Sequence, residues 1–358
     1  MNIAIISRYD WEYNGTALQS YALAEYLHSC GHQVHIIDYQ PRYLRHYREM
    51  QHRRRPKVLC LLHRLRLLPK QITVRFCGSR RRIRRFRHIY LPMTPCYRSS
   101  RALRRQPPKA DLYLTTGTVW NAWKREGRDS AFYLTFAPRR TKKAAYAVSA
   151  ASLAFPEQRQ EQLRQWIKSF DAVGIREASG VRLLQKLGIT AQSVCDPIFL
   201  LHPMQWKPLC TEVRARCPYV LVCDYDNNEA LWRIAVQLKR QRGYQIVSVI
   251  PHMQADIYCD HGPQDMLTHI RSAAFVLTNS YTALCLSVLY EREFVVFLRQ
   301  EHTNSRLYDF LERLKLSDRL YHADEKPWEQ RTDYQTARQQ LYKWIRESKT
   351  YLKNLIEQ

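Results

Sequence analysis

Asn2-Ile3-Ala4-Ile5-Ile6-Ser7 is an apolar run of strand length, and Arg8 to Gly15 is a loop closing on Asn14-Gly15. From Thr16 to Ser29, apolar residues fall at Ala17, Leu18, Tyr21, Ala22, Ala24, Tyr26 and Leu27, the spacing of a helical face. Gly31 stops that helix, and Val34-His35-Ile36-Ile37-Asp38 is a second strand ended by an acid. A helix that opens directly after a strand turns its unpaired N–H groups toward whatever sits above the sheet. Such a mouth favours an anion, so Asn14, Gly15 and Thr16 are the first candidate binding residues.

The same alternation continues downstream. Ala110–Thr115, Ala144–Val148 and Ala172–Ile175 have strand character, and Glu157–Phe170 and Ser179–Leu187 have helical character. Val194-Cys195-Asp196-Pro197 closes a fourth unit. Pro203, Pro208 and Pro218 mark a break. A second set follows: strands at Tyr219–Cys223, Gln245–Ile250, Phe275–Thr278 and Phe294–Phe297, with helices at Leu231–Arg242, Pro263–Ser272, Ala283–Tyr290 and Arg306–Leu314. Asp333–Ile356 predicts a long polar helix, whose packing partner is left open. The fold class is α/β, two doubly wound Rossmann-like domains facing a cleft. The expected boundaries are 1–200, 201–330 and a C-terminal helix over 331–358. Ligands of such sheets bind at the carboxyl ends of the strands, so an interdomain site is expected.

The 358 residues include 57 Lys+Arg against 32 Asp+Glu, a net charge of +25. The excess is local: residues 42–105 hold 21 of the basic residues and a single acid, Glu49. A local patch implies a local partner. Nucleic acid is disfavoured, because no aromatic platform or recognition helix accompanies the charge. Lys57–Leu68 combines cations with a broad leucine face, the pattern of an interfacial helix, so an anionic membrane surface or a lipid-linked phosphate is one reading. The other is a solvated arginine face over leucines packed on the protein. No apolar run is long enough to span a bilayer, and the N-terminus has no signal-peptide pattern. The ten cysteines form no metal-binding spacing and read as free, mostly buried thiols of a reducing compartment. A cytoplasmic location is expected, with peripheral attachment to the inner membrane face under the lipid reading.

Four segments together resemble the polysaccharide pyruvyl transferase family. They are Tyr13-Asn14-Gly15-Thr16-Ala17-Leu18-Gln19-Ser20-Tyr21-Ala22-Leu23 with Gly31-His32 and Ile37-Asp38-Tyr39 downstream; Thr115-Thr116-Gly117-Thr118-Val119-Trp120-Asn121; Phe170-Asp171-Ala172-Val173-Gly174-Ile175-Arg176-Glu177-Ala178-Ser179-Gly180 continuing to Asp196-Pro197; and Thr278-Asn279-Ser280-Tyr281-Thr282-Ala283 followed by Asn304-Ser305-Arg306-Leu307. The resemblance spans roughly residues 1–320. It implies a glycosyltransferase-B-like fold, phosphoenolpyruvate as donor substrate with no separate cofactor, and a sugar or lipid-linked oligosaccharide as acceptor. It also implies a ketal product and free phosphate.

The donor carries a phosphate and a carboxylate, so cations and N–H donors must hold it. Arg176 and Arg306 match family arginines. Asn14, Gly15, Thr16, Gln19, Trp120, Asn121, Tyr281 and Arg306 are the expected substrate-binding set, and Arg176, Ser280 and Thr282 the catalytic one. A surface ion pair of Arg176 with Glu177 is the alternative for that residue.

Two motifs depart from the family. Its usual Ser-Phe-His-Gly is here Ser280-Tyr281-Thr282-Ala283, which replaces a titrating histidine by a hydroxyl. Its Gly-Ser-Asp-Gln run is here Thr116-Gly117-Thr118. Another acid is one explanation, with His252, His261 or His302 as nominees. Transfer of another group is a second, for instance from a sugar nucleotide held near Asp226 and Glu229. Binding without catalysis is the third.

Overall fold

The computed structural model describes residues 1–8, 14–44, 78–211, 213, 217–250, 252–259, 262–300, 304–323 and 325–357. The leucine-rich segment 57–68, Tyr13, His261 and His302 lie outside the described residues.

The opening unit folds as β1 (Asn2–Ile6), α1 (Asn14–Ser29) and β2 (Gln33–Ile36). Strands β3 (Leu112–Gly117), β4 (Lys142–Val148), β5 (Ala172–Ile175) and β6 (Gln192–Ser193) complete a six-stranded parallel sheet of order β2-β1-β3-β4-β5-β6. The second sheet has five parallel strands: β7 (Tyr219–Cys223), β8 (Gln245–Ser248), β9 (Ile257–Tyr258), β10 (Phe275–Thr278) and β11 (Glu293–Val296), in the order β11-β10-β7-β8-β9. The two-residue β9 is too short to leave a periodic signal. Strand β6 ends earlier than its apolar run suggested, because Asp196 turns away to cap a short 3-10 helix, Pro197–Leu200.

The described helices are α1, α2 (Gly78–Tyr90), α3 (Ser100–Arg105), α4 (Glu157–Ile167), α5 (Ala178–Gln185), α6 (Glu229–Arg242), α7 (Pro263–Ser272), α8 (Tyr281–Leu289), α9 (Ser305–Leu314) and α10 (Tyr334–Glu357). Helix α2 falls inside the basic stretch, where charge masked a helical pattern. Ile83 and Phe86 are its buried face, and the Phe86 ring meets Tyr21 of α1.

The two sheets share one core, and each has a second core of its own on its other face. One apolar cluster runs from Leu18 and Leu23 of α1 through Trp206 to Leu284, Phe310 and Trp344, joining the inner faces of both halves. Helix α10 binds both. Its start is held by Tyr334 Oη on the Arg292 carbonyl and by the Arg338–Glu291 ion pair. Its later turns reach the first sheet, where Ser348 Oγ accepts from Cys195 N at 2.8 Å and Tyr351 Oη donates to Ala145 O at 2.9 Å. No described helix is long and apolar enough to cross a membrane. The described cysteines form no disulfide; Cys195, Cys223 and Cys285 are buried, but Cys30, Cys96 and Cys217 are exposed, against the expectation of mostly buried thiols.

Candidate active site

Arg176 directly follows β5, and its guanidinium turns inward. Its Nη1 donates to Asp196 at 2.7 Å and its Nε to Ala147 O at 2.7 Å. Two backbone irregularities make this possible. Strand β4 shifts register between Ala145 and Val148, and Ala147 sits at φ 51°, a left-handed conformation unusual for alanine. The bulge aims the Ala147 carbonyl at the arginine. The ion pair therefore goes to Asp196, not to the neighbouring Glu177. Gln19 of α1 donates to the same Asp196 oxygen at 2.7 Å, so its amide is spent on orienting the carboxylate. Burial pulls the Arg176 pKa down, but the charge of Asp196 beside it leads the groups that outweigh it and leave the value raised. Nη2 of Arg176 is buried with no protein partner.

Glu177 is 1% exposed. One carboxyl oxygen accepts from Ser149 Oγ and Ala151 N, both at 2.9 Å, while Oε2 has no protein partner. Burial raises its pKa, against the pull of the Ala151 N–H and Arg176. The sequence reading treated this residue only as a partner for Arg176.

The second half supplies Arg306, in the first turn of α9. It reaches across to the first half, donating from Nη1 to Thr118 Oγ1 at 2.7 Å. Among the described residues it makes no ion pair, and its Nε is buried without a protein partner. Burial and then the charge of Arg176 lower its pKa. Tyr281 lies between the two cations, its ring centroid 5.6 Å from Cζ of Arg176 and 5.3 Å from that of Arg306. Cation–π contact with a desolvated ring contributes about 2 kcal/mol or more and lets two like charges converge. The hydroxyls of Ser7, Thr116 and Ser305 are buried without protein partners as well. Unpaired buried polar groups are costly and rare, and these sit on the carboxyl ends of the strands and on the facing helix.

The helix mouths of the two halves touch. A Cβ built on Gly15 would lie 2.1 Å from Thr282 Oγ1. Asn14 and Gly15 are buried and Thr16 half-buried at the start of α1. Ser280 is the N-cap of α8, accepting from Ala283 N, so its hydroxyl already has a structural duty.

Other expected residues lie elsewhere. Trp120 is fully buried, stacked on Tyr133 at 5.3 Å with its Nε1 donating to Phe132 O; its indole packs the far side of the first sheet and offers no surface to a ligand. Asn121 is buried and accepts from Trp123 N, closing a local turn. His252 stacks on Trp232 at 3.6 Å, and burial lowers its pKa, which disfavours the protonated form an acid needs near neutral pH. Asp226 is taken by Arg299 at 2.8 Å, and Glu229 is exposed at the start of α6.

The family model described as polysaccharide pyruvyl transferase matches residues 15–301. No curated protein sequence matches the chain. Among solved structures, a protein provisionally assigned as a UDP-N-acetylglucosamine 2-epimerase from Listeria monocytogenes aligns over 96% of this chain and 90% of its own, at 9% identity and a TM-score of 0.53. The UDP-GlcNAc 2-epimerase from Methanocaldococcus jannaschii aligns over 97% and 92%, at 11% identity and a TM-score of 0.50. At such identities the likeness is one of fold, the glycosyltransferase-B-like pairing of two Rossmann-like halves.

Proposed function

The chain belongs to the polysaccharide pyruvyl transferase family, and from that premise we propose that it transfers the pyruvyl group of phosphoenolpyruvate to a sugar of a surface-polysaccharide precursor. The observation that carries this reading is the Arg176–Tyr281–Arg306 arrangement. One cation comes from each half, each keeps an unpaired nitrogen, and Arg306 has no carboxylate of its own. A donor with anionic groups at both ends suits two separated cations.

The chemistry is an addition followed by a substitution. A sugar hydroxyl adds to C2 of the donor while C3 takes a proton from an acid and becomes a methyl, and the hydroxyl's own proton restores that acid. A second hydroxyl then displaces phosphate from C2 and closes the ketal, its proton leaving with the phosphate. The first step needs an acid. Thr282 cannot fill that role. Glu177, a buried carboxyl with a raised pKa and one unpartnered oxygen beside both arginines, is our nominee for it.

The test is incubation with phosphoenolpyruvate and lipid-linked galactosyl or mannosyl acceptors, following phosphate release. Turnover of a sugar nucleotide with no phosphate release from any acceptor would overturn the reading. The Asp226–Arg299 pair argues against that outcome, since the acid just past central strand β7 is already matched. The Thr282 replacement favours one second reading, a homologue that binds the donor and does not turn it over. Tight phosphoenolpyruvate binding with no phosphate release from any acceptor, and from Glu177→Gln alike, would establish it.

A further inference from the structure

Helix α2 carries six arginines and no acid across Gly78–Tyr90. Its exposures follow helical spacing. Arg81, Arg84, Arg85, His88 and Ile89 are exposed, at i, i+3, i+4, i+7 and i+8, with Arg82 exposed at their flank, while Ile83, Phe86 and Arg87 are buried. The outward stripe is about 12 Å long at 1.5 Å per residue. It ends on Ile89, 54% exposed beside the cations.

The helix is fastened at two points. Arg87 pairs with Asp38 at 2.9 Å, just past edge strand β2 of the first sheet. Arg82 pairs with Asp265 at 2.7 Å in the first turn of α7, whose cap Gly262 would place a Cβ 2.7 Å from Arg82 Cβ. That turn follows edge strand β9 of the second sheet. Helix α2 thus bridges the two halves, from just past β2 of the first sheet to the start of α7 in the second.

We propose that the outward face of α2 docks on an anionic lipid bilayer, setting the junction of the two halves against the membrane. The charge complements acidic headgroups. Arginine stems let the guanidinium groups stay at phosphate level while Ile89 enters the acyl boundary. A soluble polyanion would make use of the cations but gain nothing from Ile89. Presentation of a lipid-borne acceptor rests on the proposed function; the docking itself does not.

The experiment is co-sedimentation of the full chain with vesicles of phosphatidylglycerol and phosphatidylcholine, with phosphatidylcholine alone as reference. Loss of each basic residue near an acidic surface weakens partition about fivefold, so Arg81→Glu/Arg85→Glu is expected to lose at least about 25-fold. The charge-matched Arg139→Glu/Arg140→Glu, at exposed positions before β4, is expected to bind far better. Ile89→Asn is expected to weaken vesicle binding and leave binding to soluble polyphosphate unchanged. Absent binding of the unaltered chain to acidic vesicles, equal losses in the two arginine pairs, or unchanged vesicle binding in Ile89→Asn would each overturn the proposal. Vesicle binding is read without turnover, so its failure is separable from failure of the transferase reading.

Discussion

Gly15→Ala tests whether the two helix mouths meet as described. Alanine is ordinarily the better helix residue, and the exchange inside a helix stabilises by about 0.5–1 kcal/mol. Here the added methyl would lie 2.1 Å from Thr282 Oγ1, 2.9 Å from its Cβ and 3.1 Å from its Cγ2. Comfortable separations are roughly 3.5 Å or more, so the contact must open by about 1.4 Å, and because Thr282 Cβ is also too close, rotating the hydroxyl away does not relieve it. Overpacking of this kind costs about 1–3 kcal/mol. It outweighs the propensity gain, and the variant should lose roughly 1–2 kcal/mol. In a Thr282→Gly background the obstruction is gone, and the same exchange should be neutral or stabilise by up to about 1 kcal/mol. Urea unfolding of the four proteins of this cycle, followed by tryptophan fluorescence, gives the coupling directly. Equal effects of Gly15→Ala in both backgrounds would refute the contact, and with it the facing arrangement of α1 and α8.

Three further outcomes follow from the site. Glu177→Gln keeps an acceptor for Ser149 and Ala151 and mimics the protonated acid; since burial raises the folded pKa above the ordinary 4.5, the wild-type carboxyl contributes fully below that pH and loses its contribution as pH rises through the folded value, so the variant should match wild type near pH 4.5 and be the more stable by pH 8, while phosphate release drops by about 10²–10⁴-fold. Equal loss of turnover and stability would make Glu177 structural only. Asp196→Asn leaves Arg176 buried without its counter-charge and should cost about 3–5 kcal/mol in a denaturation experiment; a loss under about 1 kcal/mol would mean that the pair is solvated. Thr282→His should raise phosphate release and add a pH limb near the imidazole pKa, and an unchanged pH profile would show that position 282 does not move protons.

Where the chain alternates between apolar strands and capped helices, the sequence was readable: Ala172–Ile175, Tyr219–Cys223, Pro263–Ser272 and Phe275–Thr278 form as periodicity and turn residues indicate. Helix α2 was hidden because arginines occupy its outward positions and few apolar residues mark the inward ones. Arg176 and Arg306 were legible as cations near strand and helix ends. What was not legible is what each is spent on, because Asp196, Gln19 and the Ala147 carbonyl approach from distant chain segments and a backbone bulge. Trp120 misled because a tryptophan beside a polar run looks the same whether it faces a ligand or, as here, stacks on Tyr133. Glu177 escaped notice because burial, not neighbouring sequence, gives a carboxyl its raised pKa.

The reach of α10 has a bearing on how the protein is made. Ser193 O and Cys195 N, at the end of the first sheet, find their partners in Trp344 and Ser348, some 150 residues downstream. At about 5–20 residues per second, the ribosome needs roughly 8–30 s to deliver that helix after the sheet has emerged. During this interval the nascent first half has an uncovered apolar face along α1 and β4, and the paired order in which Rossmann-like halves are translated cannot be the order in which they are completed. The first half to be synthesised is sealed last, so slowing late translation should lengthen its exposure to chaperones and proteases.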